Sequence, residues 1–113
     1  MGQSVVLNHL IVKSEGASVK IEWEIQDESG VTEYQLYRKI NEGSQFEFVE
    51  TIYADGSLTY EYIDDEIFKN DAKVITYELR VVKNGKTHKF YSTLSHNPTA
   101  IQQTWGSIKN MFK

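Results

Sequence analysis

Residues Ser18 to Ile25 read Ser-Val-Lys-Ile-Glu-Trp-Glu-Ile, with an apolar residue at every second position. Successive side chains of a strand point to opposite faces. Val19, Ile21, Trp23 and Ile25 therefore share one face, and Lys20, Glu22 and Glu24 share the other. The indole of Trp23 sits at mid-strand on the apolar side, so this face is the start of a core. The rest of the chain has to supply strands that cover it.

Such strands recur in order. Val5 to Lys13 gathers Val5, Val6, Leu7, Leu10, Ile11 and Val12 into a first strand with an irregularity expected at Asn8 and His9. Glu15-Gly16-Ala17 turns the chain into the Trp23 strand, and Asp27-Glu28-Ser29-Gly30 turns it out again. Val31 to Lys39 alternates, with Tyr34, Leu36 and Arg38 on one face and Gln35 and Tyr37 on the other. After Asn41-Glu42-Gly43-Ser44, Phe46 to Ile52 sets Phe46, Phe48 and Glu50 on one side and Val49 on the other. Ala54-Asp55-Gly56 signals a tight turn, and Leu58 to Ile63 carries Tyr60 and Tyr62 on a shared face. Asp64 to Lys73 reads as a connection with Ile67 and Phe68 tucked under it as a plug. Val74 to Val82 alternates Tyr77, Leu79 and Val81 with Glu78 and Arg80, and Asn84-Gly85 is a hairpin signal leading into Lys86 to Leu94. Seven strands with no intervening helix predict an all-β fold, a seven-stranded antiparallel immunoglobulin-like sandwich over residues 1–96.

These strand residues resemble a fibronectin type III domain over Val5 to Leu94. The resemblance rests on Ile21-Glu22-Trp23-Glu24-Ile25 in the second strand, Tyr34-Gln35-Leu36-Tyr37-Arg38 in the third and Tyr77-Glu78-Leu79-Arg80-Val81 in the sixth. In that family the sixth-strand Tyr forms a corner in which its hydroxyl bonds to upstream backbone. Tyr77 matches it. The connection before that Tyr usually reads Leu-x-Pro-Gly in the family; here it is the longer Phe68-Lys69-Asn70-Asp71-Ala72-Lys73, and no Arg-Gly-Asp adhesion sequence is present. The family hosts adhesion modules, receptor ectodomains, spacers in carbohydrate-active enzymes and scaffolds, so the resemblance implies a fold and leaves the function open.

Charge separates the last residues from the rest. Twelve Lys and Arg against sixteen Asp and Glu give −4, which argues against nucleic acid as a ligand. Residues 97–113 hold Lys109 and Lys113 and no acid, so that segment is +2 and the first 96 residues are −6. Asn97 suits an N-cap and Pro98 the first helical position. At about 100° per residue, Ile101, Trp105, Ile108 and Phe112 fall within about 60° of one another, opposite Gln102, Gln103, Gly106, Lys109, Asn110 and Lys113. An amphipathic helix over 97–113 is expected, with Ile101, Trp105, Ile108, Met111 and Phe112 as its partner-binding residues. About 16 residues are marginal for an isolated helix, and Gly106 weakens it by up to about 1 kcal/mol, so it needs something to pack on. Its own sandwich, another protein including a second copy, and a membrane surface are the three alternatives.

The remaining candidate sites carry little. His9, His88 and His96 are scattered, and Asp64-Asp65-Glu66 with Asp71 matches no calcium loop and reads as a solvated turn. No Gly-x-Ser-x-Gly elbow or Gly-rich phosphate loop occurs, so neither an enzyme nor a cofactor or metal is expected. With 113 residues and no cysteine, the chain is expected to form one domain core without disulfides. It has no apolar run long enough to span a membrane and no secretory pattern at its start. Val6 stands where a myristoylation signal wants Ser or Thr, and a cytoplasmic location is expected. Tyr37, Phe46 and Tyr53 are candidates for an exposed aromatic patch that takes sugar or peptide, with burial or cross-strand pairing as the alternative. The expected function is a non-enzymatic protein-interaction module with its helix docked on the body or on a partner. The competing expectation is a peripheral membrane protein anchored by that helix.

Overall fold

The described residues form seven strands: β1 (Leu7–Glu15), β2 (Ser18–Ile25), β3 (Val31–Ile40), β4 (Glu47–Tyr53), β5 (Thr59–Asp64), β6 (Lys73–Lys83) and β7 (Lys86–His96). They form two antiparallel sheets, β1-β2-β5 and β4-β3-β6-β7. The structure is a computed structural model that describes residues 4–41, 45–65 and 73–96. The expected plug of Ile67 and Phe68 and the expected helix over 97–113 lie outside the described residues.

The core lies where the alternation predicts it. Val19, Ile21, Trp23 and Ile25 of β2 are buried against Tyr34 and Leu36 of β3 and Ile75, Tyr77, Leu79 and Val81 of β6. Trp23 packs against Tyr34 with ring centres 5.4 Å apart and stacks on Tyr60 at 5.6 Å. Each such side chain contributes about 1.5–3 kcal/mol on full burial. Among the described residues, the buried ones and the partly buried ones around them all lie between Val5 and Leu94.

Turn chemistry explains the connections. Asn84 and Gly85 both take positive φ, 52° and 78°, the pair that lets a two-residue hairpin match the twist of its strands. The irregularity expected near Asn8 is a register shift between Leu7 and His9. A second shift, between Leu36 and Tyr37, was not foreseen: Tyr37 faces Phe48 while Leu36 faces Glu50, so Val49 is the extra residue of a bulge in edge strand β4. The expected sharing of one side by Phe48 and Glu50 is thereby corrected. Val49 packs on the core and Phe48 goes with Tyr37 to the outside.

Asp64 also departs from expectation. It is the last residue of β5 and only 1% exposed, not part of a solvated turn. One of its oxygens, Oδ2, accepts from Arg38 Nη1 and from the Tyr77 hydroxyl, both at 2.7 Å. Asp64 belongs to the three-stranded sheet and its two partners to the other, so the arrangement ties the layers together. Burial of opposite charges is tolerated because each meets the other. The Tyr77 hydroxyl is thus engaged by a carboxylate, where the resemblance implies upstream backbone.

Candidate interaction face

Pairing register assembles a row of large side chains on the outer surface of the four-stranded sheet. Tyr37 of β3 lies opposite Phe48 of β4 and Glu78 of β6, and Glu78 lies opposite Tyr91 of β7. Tyr37 and Phe48 meet edge to face, with centres 5.6 Å apart and an interplanar angle of 75°. Phe46, in the segment entering β4, reaches the Tyr91 ring at 5.8 Å. Tyr53 stands on the same face opposite Glu33, two ladder steps beyond Gln35 and its partner Thr51.

Cations lie over two of these rings. The Arg80 guanidinium lies 3.7 Å from the centre of the Tyr37 ring, and Lys39 Nζ lies 5.1 Å from the centre of Phe46. Each such contact is worth about 0.5–1 kcal/mol at an exposed site. Arg80 Nε also donates to Glu78 Oε1. Glu78 points outward yet is only 2% exposed, because Tyr91, Arg80 and their neighbours roof it. The Tyr91 hydroxyl also bonds Glu78, which pushes its pKa upward. Three other large rings of this face stay open: Phe48 is 56%, Tyr91 54% and Tyr53 70% exposed. Rigid aromatic rings with few rotatable bonds are the side chains that anchor protein interfaces.

The outer surface of β1-β2-β5 is built otherwise. Lys20 pairs with Glu22 at 3.2 Å and Glu61 at 3.6 Å, Lys13 with Glu22 at 3.8 Å, and His9 Nδ1 lies 3.7 Å from Glu24. The hydrogen bond that Lys20 donates to Glu22 leads the influences that raise the Lys20 pKa. The exposed large apolar residues on this face, Ile11 and Ile63, sit on β1 and β5, on either side of the charged β2.

A third cluster is structural in character. The Glu28 carboxylate accepts from the Tyr34 hydroxyl at 2.7 Å, from Gly56 N at 2.8 Å and from the Tyr60 hydroxyl, which joins the turn before β3 to the turn before β5. Burial pushes Tyr60 up to about 12 and Tyr34 higher still, with Glu28 adding to both. These groups answer one another and border neither cavity described below. One, of about 360 Å³, is lined by Ile40, Gln45, Phe46 and Glu47, at the end of the aromatic face where β7 leaves the sheet. The other, of about 350 Å³, is lined by Ser4, Val6, Gln26, Asp27 and Lys83 at the opposite end. Among the described residues no three His, Cys, Asp or Glu gather as a metal-ligand set, and no helix is long and apolar enough to cross a membrane.

Of the residues expected to form an aromatic patch, Tyr37 takes the cross-strand alternative and pairs with Phe48, Phe46 meets Tyr91, and Tyr53 shares their face. Phe48, Tyr91, Arg80 and Glu78 were missed as members. The hairpin at Asn84-Gly85 held the signal for two of them, since counting back from the turn pairs Glu78 with Tyr91. Ile101, Trp105, Ile108, Met111 and Phe112 lie outside the described residues. No protein-family model matches this chain, and no curated protein sequence matches it.

Proposed function

We propose that this protein is a non-enzymatic interaction module on a fibronectin type III-like sandwich, binding a protein partner through the outer face of β4-β3-β6-β7. The family reading is supported by seven strands in two sheets, with Trp23 buried on the second strand and Tyr77 on the sixth. The observation that carries the binding role is a set of three rings, Phe48, Tyr53 and Tyr91, each more than half exposed on a surface held in place by its own ion pairs and ring contacts. Exposed apolar surface rimmed by polar groups marks interaction sites on soluble domains. Strand-borne rings also lose little conformational freedom on binding.

A photo-crosslinking amino acid in place of Phe48, and separately in place of Glu22, tests the reading in cells that make the full chain. Adducts with another polypeptide should form from position 48 and be scarce from position 22. Equal yields, or none from position 48, would contradict it.

A further inference from the structure

We infer that the partner segment recognised by this face is acidic as well as apolar, with a carboxylate seated between Arg80 and Lys89 and a neighbouring apolar side chain on the Tyr91 ring. The inference rests on the recognition face proposed above and names its ligand class. Pairing places Arg80 of β6 directly opposite Lys89 of β7, in the transverse row Thr51, Gln35, Arg80 and Lys89 that adjoins the row of rings. Like charges at directly opposed positions of an antiparallel pair destabilise it. The row holds no acid to offset them.

Each cation keeps donors to spare. The Arg80 guanidinium is held by stacking on Tyr37 and by its Nε bond to Glu78, which leaves its Nη nitrogens without a partner among the described residues. A guanidinium fixed in this way still presents its Nη edge, the fork that takes a carboxylate. Lys89 is exposed, and its Nζ meets no carboxylate among the described residues. The acids at outward positions of these strands, Glu33 and Glu78, are both engaged: Gln35 donates to Glu33, and Glu78 is buried beneath Arg80 and Tyr91. Glu47 and Glu50 pair with the inward Arg38 and Leu36, so they do not belong to the outward rows.

A third cation, Lys39 over Phe46, adds to the same face. The chain as a whole carries −4, so this positive surface is local to the rings. On the three-stranded face, by contrast, Lys13 and Lys20 lie 3.8 Å and 3.2 Å from Glu22. Spacing sets the sequence pattern of the ligand. Lys89 and Tyr91 stand two residues apart on one face of β7, about 7 Å at about 3.3 Å per residue. An extended segment running beside them presents its side chains to one face at the same interval, so an acid and an apolar residue two apart fit.

Lys89→Glu is the deciding change, because it reverses the cation and sets a carboxylate opposite Arg80. It should raise the denaturation midpoint slightly, by relieving the like-charge pair. In cells that make the full chain it should lower the adducts formed from a photo-crosslinker at position 48 about tenfold. Lys13→Glu, the same charge change on the other face, should leave the yield as it is. A yield unaffected by Lys89→Glu, or lowered equally by Lys13→Glu, would overturn the inference and leave the recognition face standing. A yield raised by Lys89→Glu would assign a basic partner and overturn it too, and a midpoint that does not rise would contradict the like-charge cost. Purified protein gives a separate readout: acetyl-Glu-Ser-Phe-amide should shift the amide signals of Arg80, Lys89 and Tyr91 and spare those of Lys13, Glu22 and Glu61, whereas acetyl-Lys-Ser-Phe-amide should shift neither set. An equal response to the two peptides, or none, would overturn the inference whatever position 48 yields. Selective shifts without adducts from position 48 would remove the protein partner and leave the carboxylate site.

Discussion

The two outer faces of the sandwich come from the same alternation of side chains and use their charges in different ways. On β1-β2-β5, Lys13, Lys20, Glu22 and Glu61 pair across strands, and each exposed pair is worth only about 0.2–1 kcal/mol. Their result is a solvated surface. On β4-β3-β6-β7, Arg80 and Lys39 lie against rings, and Arg80 also holds the buried Glu78. The charge there lies over Tyr37 and Phe46, while Phe48, Tyr53 and Tyr91 stay exposed beside them. A face that needed only solubility would resemble the first. The difference teaches that outward position alone says little, and that what an outward charge touches decides whether the surface presents paired charges or exposed rings.

The comparison breaks altogether if the common core fails. Trp23→Ala should cost about 3–5 kcal/mol, the usual range for deleting a large buried aromatic. A denaturation midpoint equal to that of the parent would mean that the strand phases are wrong. Asp64→Ala tests the tie between the faces: Arg38 loses its buried carboxylate, and breaking such a pair costs about 3–5 kcal/mol. Tyr77→Phe removes one hydrogen bond to the same carboxylate and should cost about 1.5–3 kcal/mol in the same assay.

Alkaline pH should act on the interior. Tyr34, Tyr60 and Tyr77 have hydroxyl pKa values raised by burial and by Glu28 or Asp64, Tyr60 to about 12 against an ordinary 10.0. The folded state keeps protons that the unfolded chain releases. Stability is thus complete below about pH 10 and falls as pH rises toward 12 and beyond. Tyrosinate absorbance from these three residues should appear only together with loss of structure.

The smallest effects separate the faces themselves. Glu22→Gln and Phe48→Ser should each shift stability by about 0.5 kcal/mol or less, because both positions are at the surface. The Glu22 change should vanish in about 1 M salt, where the screening length is about 3 Å, and the Phe48 change should remain.

Much of the fold was legible because period-two alternation and turn chemistry are local. Val19 to Ile25, the Asn84-Gly85 hairpin and the inward Tyr34, Leu36, Tyr77 and Leu79 all follow from neighbours in the chain. What was illegible depends on partners far away in sequence. Asp64 continues the inward parity of Tyr60 and Tyr62, yet beside Asp65 and Glu66 it reads as part of an acidic turn until Arg38 and Tyr77 are placed next to it. The bulge at Val49 reveals itself only in register with β3, and it moves Phe48 away from Glu50 and onto the face. Glu78 looks solvated in the sequence and is buried by side chains from its own strand and β7.

The central claim is that the ring-bearing face, and not the charged one, recognises the partner. With a photo-crosslinker at Tyr53, the most open of the three rings, intermolecular adducts can be compared in Phe48→Ser and Glu22→Gln backgrounds. Truncating an interface anchor costs more than about 1.4 kcal/mol, a tenfold loss of binding. The adduct yield should therefore fall about tenfold with Phe48→Ser and stay unchanged with Glu22→Gln. Equal yields in the two backgrounds would contradict the account.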